Sequence, residues 1–316
     1  MTDKARTIFL GTGAFAVPVV EALAGHRLVE LVAVVTAPHR EDARGRPIEP
    51  PVAAWATVNG IPTFRPARLR TPAAVEHIRD HAPDLLVLAD YGQIVPEELL
   101  ELPAHGALNL HPSLLPRYRG ATPIPAAILA GDEETGVTLM RMDSGLDTGP
   151  IVAQERVPID PGETAPQLGA RLAGLAASVL TRDLEAWLTG ALAASPQPDV
   201  GVSQTRSLRR EDGRLDPGKI AAELERQVRA YQPWPGSFTE VGATRLVVWQ
   251  AHPVSMDGAG VKAGDLYRTP DGGISLRVSD GGLQLDEVQP AGGKRMTGAE
   301  LVRGRSNLTT NERNDA

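Results

Sequence analysis

Cysteine is absent from all 316 residues, which excludes disulfides, thiolate-bound metals and cysteine nucleophiles. No apolar run approaches the ~18 residues of a membrane span, and residues 1–30 lack the layout of a signal peptide. A cytoplasmic setting is therefore expected. No H-E-x-x-H motif occurs among the seven histidines, so no metal site is expected either. The net charge of −7 argues against a protein that binds nucleic acid indiscriminately. That charge is uneven. Residues 1–205 carry 16 Lys+Arg against 24 Asp+Glu, a balance of −8, whereas residues 206–316 carry 16 against 15, a balance of +1. A near-neutral second part beside an acidic first part is compatible with a nucleic-acid arm.

What is present reads as an ordinary globular chain, 42% hydrophobic and 22% charged, long enough for two domains. Thr7–Leu10 and Leu31–Val35 are short apolar strands flanking a helix from Val17 to Ala24, the opening βαβ unit of a parallel sheet. Gly11-Thr12-Gly13-Ala14-Phe15-Ala16 between them matches the dinucleotide fingerprint G-x-G-x-x-A. The second strand, however, runs into Thr36-Ala37-Pro38-His39 without the carboxylate that would hold a ribose, which disfavours a dinucleotide oxidoreductase. His39–Pro51 is a polar loop bearing Arg40, Arg44 and Arg46, guanidinium groups suited to phosphate. A helix over Val52–Asn59, an edge strand at Gly60–Thr63 and a Thr71-capped helix to His81 follow. Asp84–Ala89 is a near-continuous apolar run, as expected of a central strand covered on both faces. Ligands of open α/β sheets bind beyond the carboxyl ends of such strands, so the next residues, Asp90 to Pro96, should line a cleft. After a long helix from Thr164 to Leu188, residues 190–205 have the Ala-Ser-Pro-Gln-Pro-Asp composition of a linker. A helix over Lys219–Tyr231 and short strands at 244–250, 274–279 and 283–288 suggest a small antiparallel barrel, OB-like in character. Thr297 caps a last helix to Arg303, and the polar tail 307–316 is expected to be disordered.

Two blocks carry the chemistry. In Asn109-Leu110-His111-Pro112-Ser113-Leu114-Leu115-Pro116-Arg117-Tyr118-Arg119-Gly120, the polar Asn109 and His111 alternate with Leu110, so on a strand they face one side. In Met142-Asp143-Ser144-Gly145-Leu146-Asp147-Thr148-Gly149-Pro150, one carboxylate, Asp147, sits among glycines. Ser113 is two residues from His111 with no G-x-S-x-G elbow, so it secures a loop better than it serves as a nucleophile.

Together these blocks resemble the signature of the formyltransferases that use 10-formyltetrahydrofolate as donor. The resemblance implies a Rossmann-like, mostly parallel N-terminal domain over 1–189, a linker over 190–205 and a C-terminal OB-like domain that binds tRNA over 206–316. It implies Asn109, His111 and Asp147 as the catalytic set. Asn109 suits the oxyanion, His111 suits proton transfer, and Asp147 can orient the imidazole. It also implies that the folate lies against Leu88, Asp90, Tyr91, Gly92 and Ile94. Ser113, Leu114, Leu115 and Pro116, with Met140, Met142 and Asp143, complete that pocket. No metal or redox cofactor is implied.

Departures from the pattern are Gly13 and Ala14, where the family has Pro-Glu, and Asp90, where it has Ala. The stretches Asp212–Asp216, Gln232–Gly236 and Gly292–Met296 extend the similarity to the branch whose acceptor is the methionine carried by initiator tRNA. There Arg40, Arg44 and Arg46 would meet the acceptor stem. A monomer is expected. The competing readings are a formyltransferase acting on an amino-sugar nucleotide and a tRNA-binding module without catalysis.

Overall fold

The computed structural model describes residues 4–42, 44–241, 244–255 and 261–304, so the tail expected to be disordered lies outside the described residues. The chain forms two units. The first comprises the residues up to 123 with Glu133–Ile159 and Gln167–Arg206; the second comprises Ile124–Asp132, Asp160–Pro166 and the residues from Ser207 onward.

The first unit opens with β1 (Ala5–Gly11), α1 (Ala16–Gly25) and β2 (Val29–Val35). A ribbon of two short strands, β3 (Arg40–Glu41) and β4 (Pro47–Ile48), precedes α2 (Pro51–Val58) and β5 (Thr63–Phe64). Next come α3 (Pro72–Asp80), β6 (Leu85–Ala89), α4 (Glu97–Leu100), β7 (Ala107–His111) and β8 (Arg119–Gly120). After α5 (Pro123–Ala130) run β9 (Glu134–Arg141), β10 (Ile151–Pro158), α6 (Ala165–Leu188) and β11 (Gln204–Thr205).

Seven of these strands make one sheet in the order β10-β9-β7-β6-β1-β2-β5. The pairings around β1, β2, β5, β6 and β7 are parallel, and those of β9 with β7 and β10 are antiparallel. All five residues of β6 are buried, which is why that strand reads as an unbroken apolar run. Each of its leucines stabilises the fold by roughly 1.5–3 kcal/mol through removal from water. The chain passes from β1 to β2 on one side and later returns to β6 on the other. The sheet's topological switch point therefore lies between β1 and β6.

Two expectations shift. The edge strand begins at Thr63 instead of Gly60, because Gly60 takes a left-handed turn at φ +67 and Pro62 has no N–H to pair. Residues 190–205 are not a free linker. Ser195 pairs with Ile151, β11 pairs in parallel with β8, and the segment belongs to the first unit. Its prolines and small residues carry no hydrophobic period, so its long-range backbone pairing leaves no mark in the sequence.

In the second unit, a 3-10 turn at Arg210–Gly213 leads to α7 (Ala221–Ala230). The sheet uses β12 (Ser237–Val241), β13 (Thr244–Val254), β14 (Leu266–Arg268), β15 (Ile274–Val278), β16 (Gly281–Pro290) and β17 (Met296–Thr297). It is antiparallel, ordered β12-β13-β16-β15-β14 with β17 beside β16. Among the described residues β12 and β14 are not paired with each other, so hydrogen bonding does not close the barrel. The apolar face of α7, with Ala221, Leu224 and Val228, packs in one core with Leu246, Val248, Leu283 and Leu285. Thr297 caps α8 (Gly298–Gly304) reciprocally with Glu300: the Glu300 N–H donates to Thr297 Oγ1 at 3.2 Å, and the Thr297 N–H donates to Glu300 Oε2 at 2.8 Å.

Candidate active site

β7 lies between β6 and β9, and its alternation sends Asn109 and His111 to one face while Leu110 goes into the core. The Asp147 loop comes back to meet them. Asn109 Nδ2 lies 3.4 Å from Asp147 Oδ1, His111 Nδ1 lies 3.6 Å from Asp147 Oδ2, and the Gly120 N–H donates to Oδ2 at 2.7 Å. Amide, imidazole and carboxylate therefore converge on one point at the mouth of the sheet. His111 is only 4% exposed, and its Nε2 donates to the Tyr118 carbonyl at 2.9 Å. With Nε2 committed, Nδ1 is the nitrogen left to take or release a proton, and it faces the carboxylate. Asn109 uses one amide hydrogen toward Asp147, and its second amide hydrogen is of a kind that can donate to an oxygen gaining negative charge.

The segment read as a linker holds this arrangement in place. Gln197 Nε2 donates to the carbonyls of Asp147 and Gly149, both at 2.8 Å, and Gln197 Oε1 accepts from Arg119 Nη2 at 2.7 Å. Asp147 adopts a left-handed backbone at φ +53, which the two carbonyl contacts help fix. Ser203 Oγ accepts from the Tyr118 N–H at 2.8 Å and so sets the carbonyl that receives His111. Gly120 has φ +101, and a Cβ there would overlap the Thr205 carbonyl, so no side chain fits where the Asp147 carboxylate is received. Gln197, Ser203 and Thr205 were not found from the sequence. A polar residue between prolines carries no signal of what it will clamp.

The residues expected around a folate divide in two. Leu88, Ser113, Leu115, Pro116 and Met140 are buried and can back a pocket without reaching into it. Ser113 Oγ donates to the Arg117 carbonyl at 2.7 Å, so it ties the loop, as its position suggested. The Tyr91 ring is part of the core with Leu88, Val95 and Leu99, and burial pushes its phenol well above the usual range. Tyr91 can therefore give the cleft only backbone. Gly92 and Asp143 are exposed, Met142 and Leu114 are half-buried, and Ile94 is 76% exposed. Ile94 and Leu146, at 59%, leave apolar surface open on the two loops that flank the site. Gln93, not singled out from the sequence, anchors the 90–95 loop: its Oε1 accepts from the Leu69 N–H at 2.9 Å and its Nε2 donates to the Pro66 carbonyl at 3.2 Å.

Asp90 stands at the end of β6 with φ +48. Water reaches its side chain, yet the protein crowded around it dominates and raises its pKa from 3.8 to about 6, against a smaller opposing effect of the Gly13 N–H. The folded state thus binds this proton more tightly than the unfolded chain. Stability from Asp90 is fully present below the unfolded pKa of 3.8 and is lost as pH rises to about 6. Asp90→Asn should therefore raise the melting temperature relative to wild type above about pH 6.5 and change it less near about pH 4. A difference independent of pH between those points would rule this out.

The ribbon of β3 and β4 is drawn together by Asp42, whose carboxylate accepts from the backbone N–H groups of Arg44 and Arg46 at 2.8 and 2.9 Å. The Arg46 guanidinium pairs with the same carboxylate at 2.7 Å, and the Arg46 and Arg44 contacts hold Asp42 below the usual range. Arg46 is thus engaged, whereas Arg40 and Arg44 are exposed. His77 and His81 stand four residues apart at the end of α3, their rings edge to face at 5.0 Å. Among the described residues no group of three or more acidic or histidine side chains is arranged to hold a metal, and no helix is long and apolar enough to cross a membrane.

A family model described as "Formyl transferase" matches residues 5–184, and one described as "Formyl transferase, C-terminal domain" matches residues 207–306. The chain is similar to a methionyl-tRNA formyltransferase of Myxococcus xanthus, 44% identical over 303 residues that cover 96% of each chain. A methionyl-tRNA formyltransferase of Thermus thermophilus is 44% identical over 301 residues, covering 95% of this chain and 96% of the relative. Among solved structures, HypX from Aquifex aeolicus in complex with tetrahydrofolic acid superposes with a TM-score of 0.63 at 16% identity, covering 98% of this chain and 49% of HypX. The chain spans about half the length of HypX. An N-formyltransferase from Helicobacter canadensis, in complex with folinic acid and dTDP-3-aminofucose, superposes at 0.62 with 18% identity, covering 89% of this chain and 98% of that one. With a family model over more than half of its residues and full-length relatives at 44% identity, this chain belongs to the formyl transferase family.

Proposed function

We propose that the protein transfers the formyl group of 10-formyltetrahydrofolate to the amine of methionine esterified to initiator tRNA. The observation that carries this reading is the meeting of Asn109, His111 and Asp147 at one point, in a chain 44% identical to methionyl-tRNA formyltransferases along nearly its whole length. The uncharged amine attacks the formyl carbon, and the carbonyl oxygen becomes an oxyanion received by the free N–H of Asn109. The bond to N10 of the folate then breaks as the new amide forms. The proton leaving the amine passes through His111 Nδ1, beside Asp147, to the departing N10. No group outside the two substrates and these side chains is needed to balance the reaction. The exposed apolar residues Ile94 and Leu146 suit the walls of a site for a flat ring such as a pterin.

The tRNA reading is supported by a recess of about 570 Å³ in the second unit, lined by Arg210, Trp234, Arg245 and Trp249 among others. Arg245 lies over the Phe238 ring and Arg295 over Trp249, each at 3.5 Å, and Trp234 is 57% exposed. Burial first, then Arg210, lowers Arg245 below the usual arginine range, and an incoming phosphate would offset the second of these. Cations interleaved with aromatic faces suit a nucleic-acid backbone and its bases. The protein acts in this reading as a cytoplasmic monomer.

One assay tests the acceptor: 10-formyltetrahydrofolate offered in parallel with methionyl-tRNA, glycinamide ribonucleotide and an amino-sugar nucleotide. Methionyl-tRNA should be formylated at a kcat/KM about 10⁴-fold above the others, the scale reached when a site is built for one substrate's polar groups. Preference for the amino-sugar nucleotide would overturn the assignment. Replacing Arg40 and Arg44 with alanine should weaken tRNA binding and reduce its salt slope by roughly 0.7–0.9 per lost phosphate contact. An unchanged slope would remove the ribbon from the interface.

A further inference from the structure

We propose that Asp90 is a positioning residue for the donor, its carboxylate bolting the loop after β6 to the turn after β1 across the switch point of the sheet. The inference rests on the reading of the donor as a folate. β1 ends at Gly11 in register with Ala89, the last residue of β6, and Leu88 on the other side is in register with Asn109. Asp90 therefore leaves the sheet between the Gly11–Ala16 turn and the strand that carries Asn109 and His111. Two backbone contacts join it to that turn. The Thr12 N–H donates to the Asp90 carbonyl at 3.0 Å, and the Asp90 carboxylate lies against Gly13.

Gly13 shows the fit from the other side. Its φ lies outside the left-handed region, so its backbone alone would accept any residue. A Cβ built there meets Asp90 first: it overlaps Oδ2 and lies 3.1 Å from Cγ and 3.7 Å from Oδ1, the three nearest atoms. Glycine at position 13 thus answers to the carboxylate at position 90. The left-handed backbone of Asp90 costs less for Asp or Asn than for other side chains, because a short polar group can bond locally. Strain and room both converge on one carboxylate, beside the 90–95 loop that forms a wall of the cleft.

The test is calorimetric titration of the full-length protein with 5-formyltetrahydrofolate, alongside donor KM and kcat. Asp90→Ala should weaken binding and raise the donor KM by about tenfold while kcat stays within about threefold, the pattern of a contact felt in positioning alone. Asp90→Asn keeps an acceptor and tolerates the backbone, so it should stay within about threefold of wild type. Gly13→Ala should weaken binding in the presence of Asp90, and Gly13→Ala with Asp90→Ala should bind no worse than Asp90→Ala alone. Amide exchange at Thr12, whose N–H the Asp90 carbonyl receives, should be slow in the wild type and in Asp90→Asn and faster in Asp90→Ala. Wild-type affinity in Asp90→Ala, or independent addition of the two substitutions, would overturn this role. A wild-type protein that binds no folate would overturn the donor reading and this role with it.

Discussion

Asp147→Ala should lower turnover by about 10³–10⁴-fold, the loss seen when the carboxylate partner of a catalytic histidine is disabled. The size follows from what meets at this side chain. Its Oδ2 receives the Gly120 N–H at 2.7 Å and faces His111 Nδ1, and its Oδ1 takes an amide hydrogen of Asn109. Without it the imidazole loses its counter-charge and the amide loses the contact that aims its second hydrogen. The fold should survive, because Asp147 lies on a loop and the cost is about 1–3 kcal/mol for the lost hydrogen bonds. Alanine also fits the φ of +53 less well, so Asp147→Asn is the companion variant: it tolerates that backbone and can still accept from Gly120, but it carries no charge. Single-turnover formyl transfer, read together with a thermal melt, decides the matter. A folded Asp147→Ala protein within threefold of the wild-type rate would remove the carboxylate from the mechanism.

Asn109→Ala should reduce kcat by about 10²–10³-fold, the equivalent of about 2.7–4 kcal/mol for one oxyanion donor. The donor KM should change little, since the bond in question strengthens only as charge builds on the formyl oxygen. Asn109 is flanked in register by Leu88 and Met140, so shortening its side chain leaves β7 paired as before. Asn109→Asp should do worse than alanine, for it would set a second carboxylate beside Asp147 at the place proposed for the oxyanion. Should Asn109→Ala raise KM and leave kcat unchanged, the amide would be a binding group and the oxyanion would need another partner.

Much of this was legible in the residues. The apolar run at Leu85–Ala89 announces a strand buried on both faces, and Asn109-Leu110-His111 shows its two-residue period directly. The meeting of Asn109 and His111 with Asp147 was suggested by the two sequence blocks. What holds them together was not. Gln197 and Ser203 act through hydrogen bonds to backbone groups 48, 50 and 85 positions away, in a stretch whose Ser and Pro content describes a connector. Such bonds impose no period and no composition, so only the folded chain reveals them. The pairing of Arg46 with Asp42 was readable in principle from their spacing, yet it took the ribbon to show that one carboxylate also collects two backbone N–H groups. Gly13 and Asp90 each stood out as departures from the family pattern. That one departure makes room for the other is visible only in space.

The clamp formed by Gln197, Ser203 and Thr205 sets where two members of this family can be spliced into a hybrid. A junction after Leu188 would marry the Asp147 loop of one parent to the fastening segment of the other. Moving the seam past Arg206 keeps loop and fastener of common descent, and such hybrids should retain the turnover of the parent that supplied them, whatever acceptor the grafted remainder prefers.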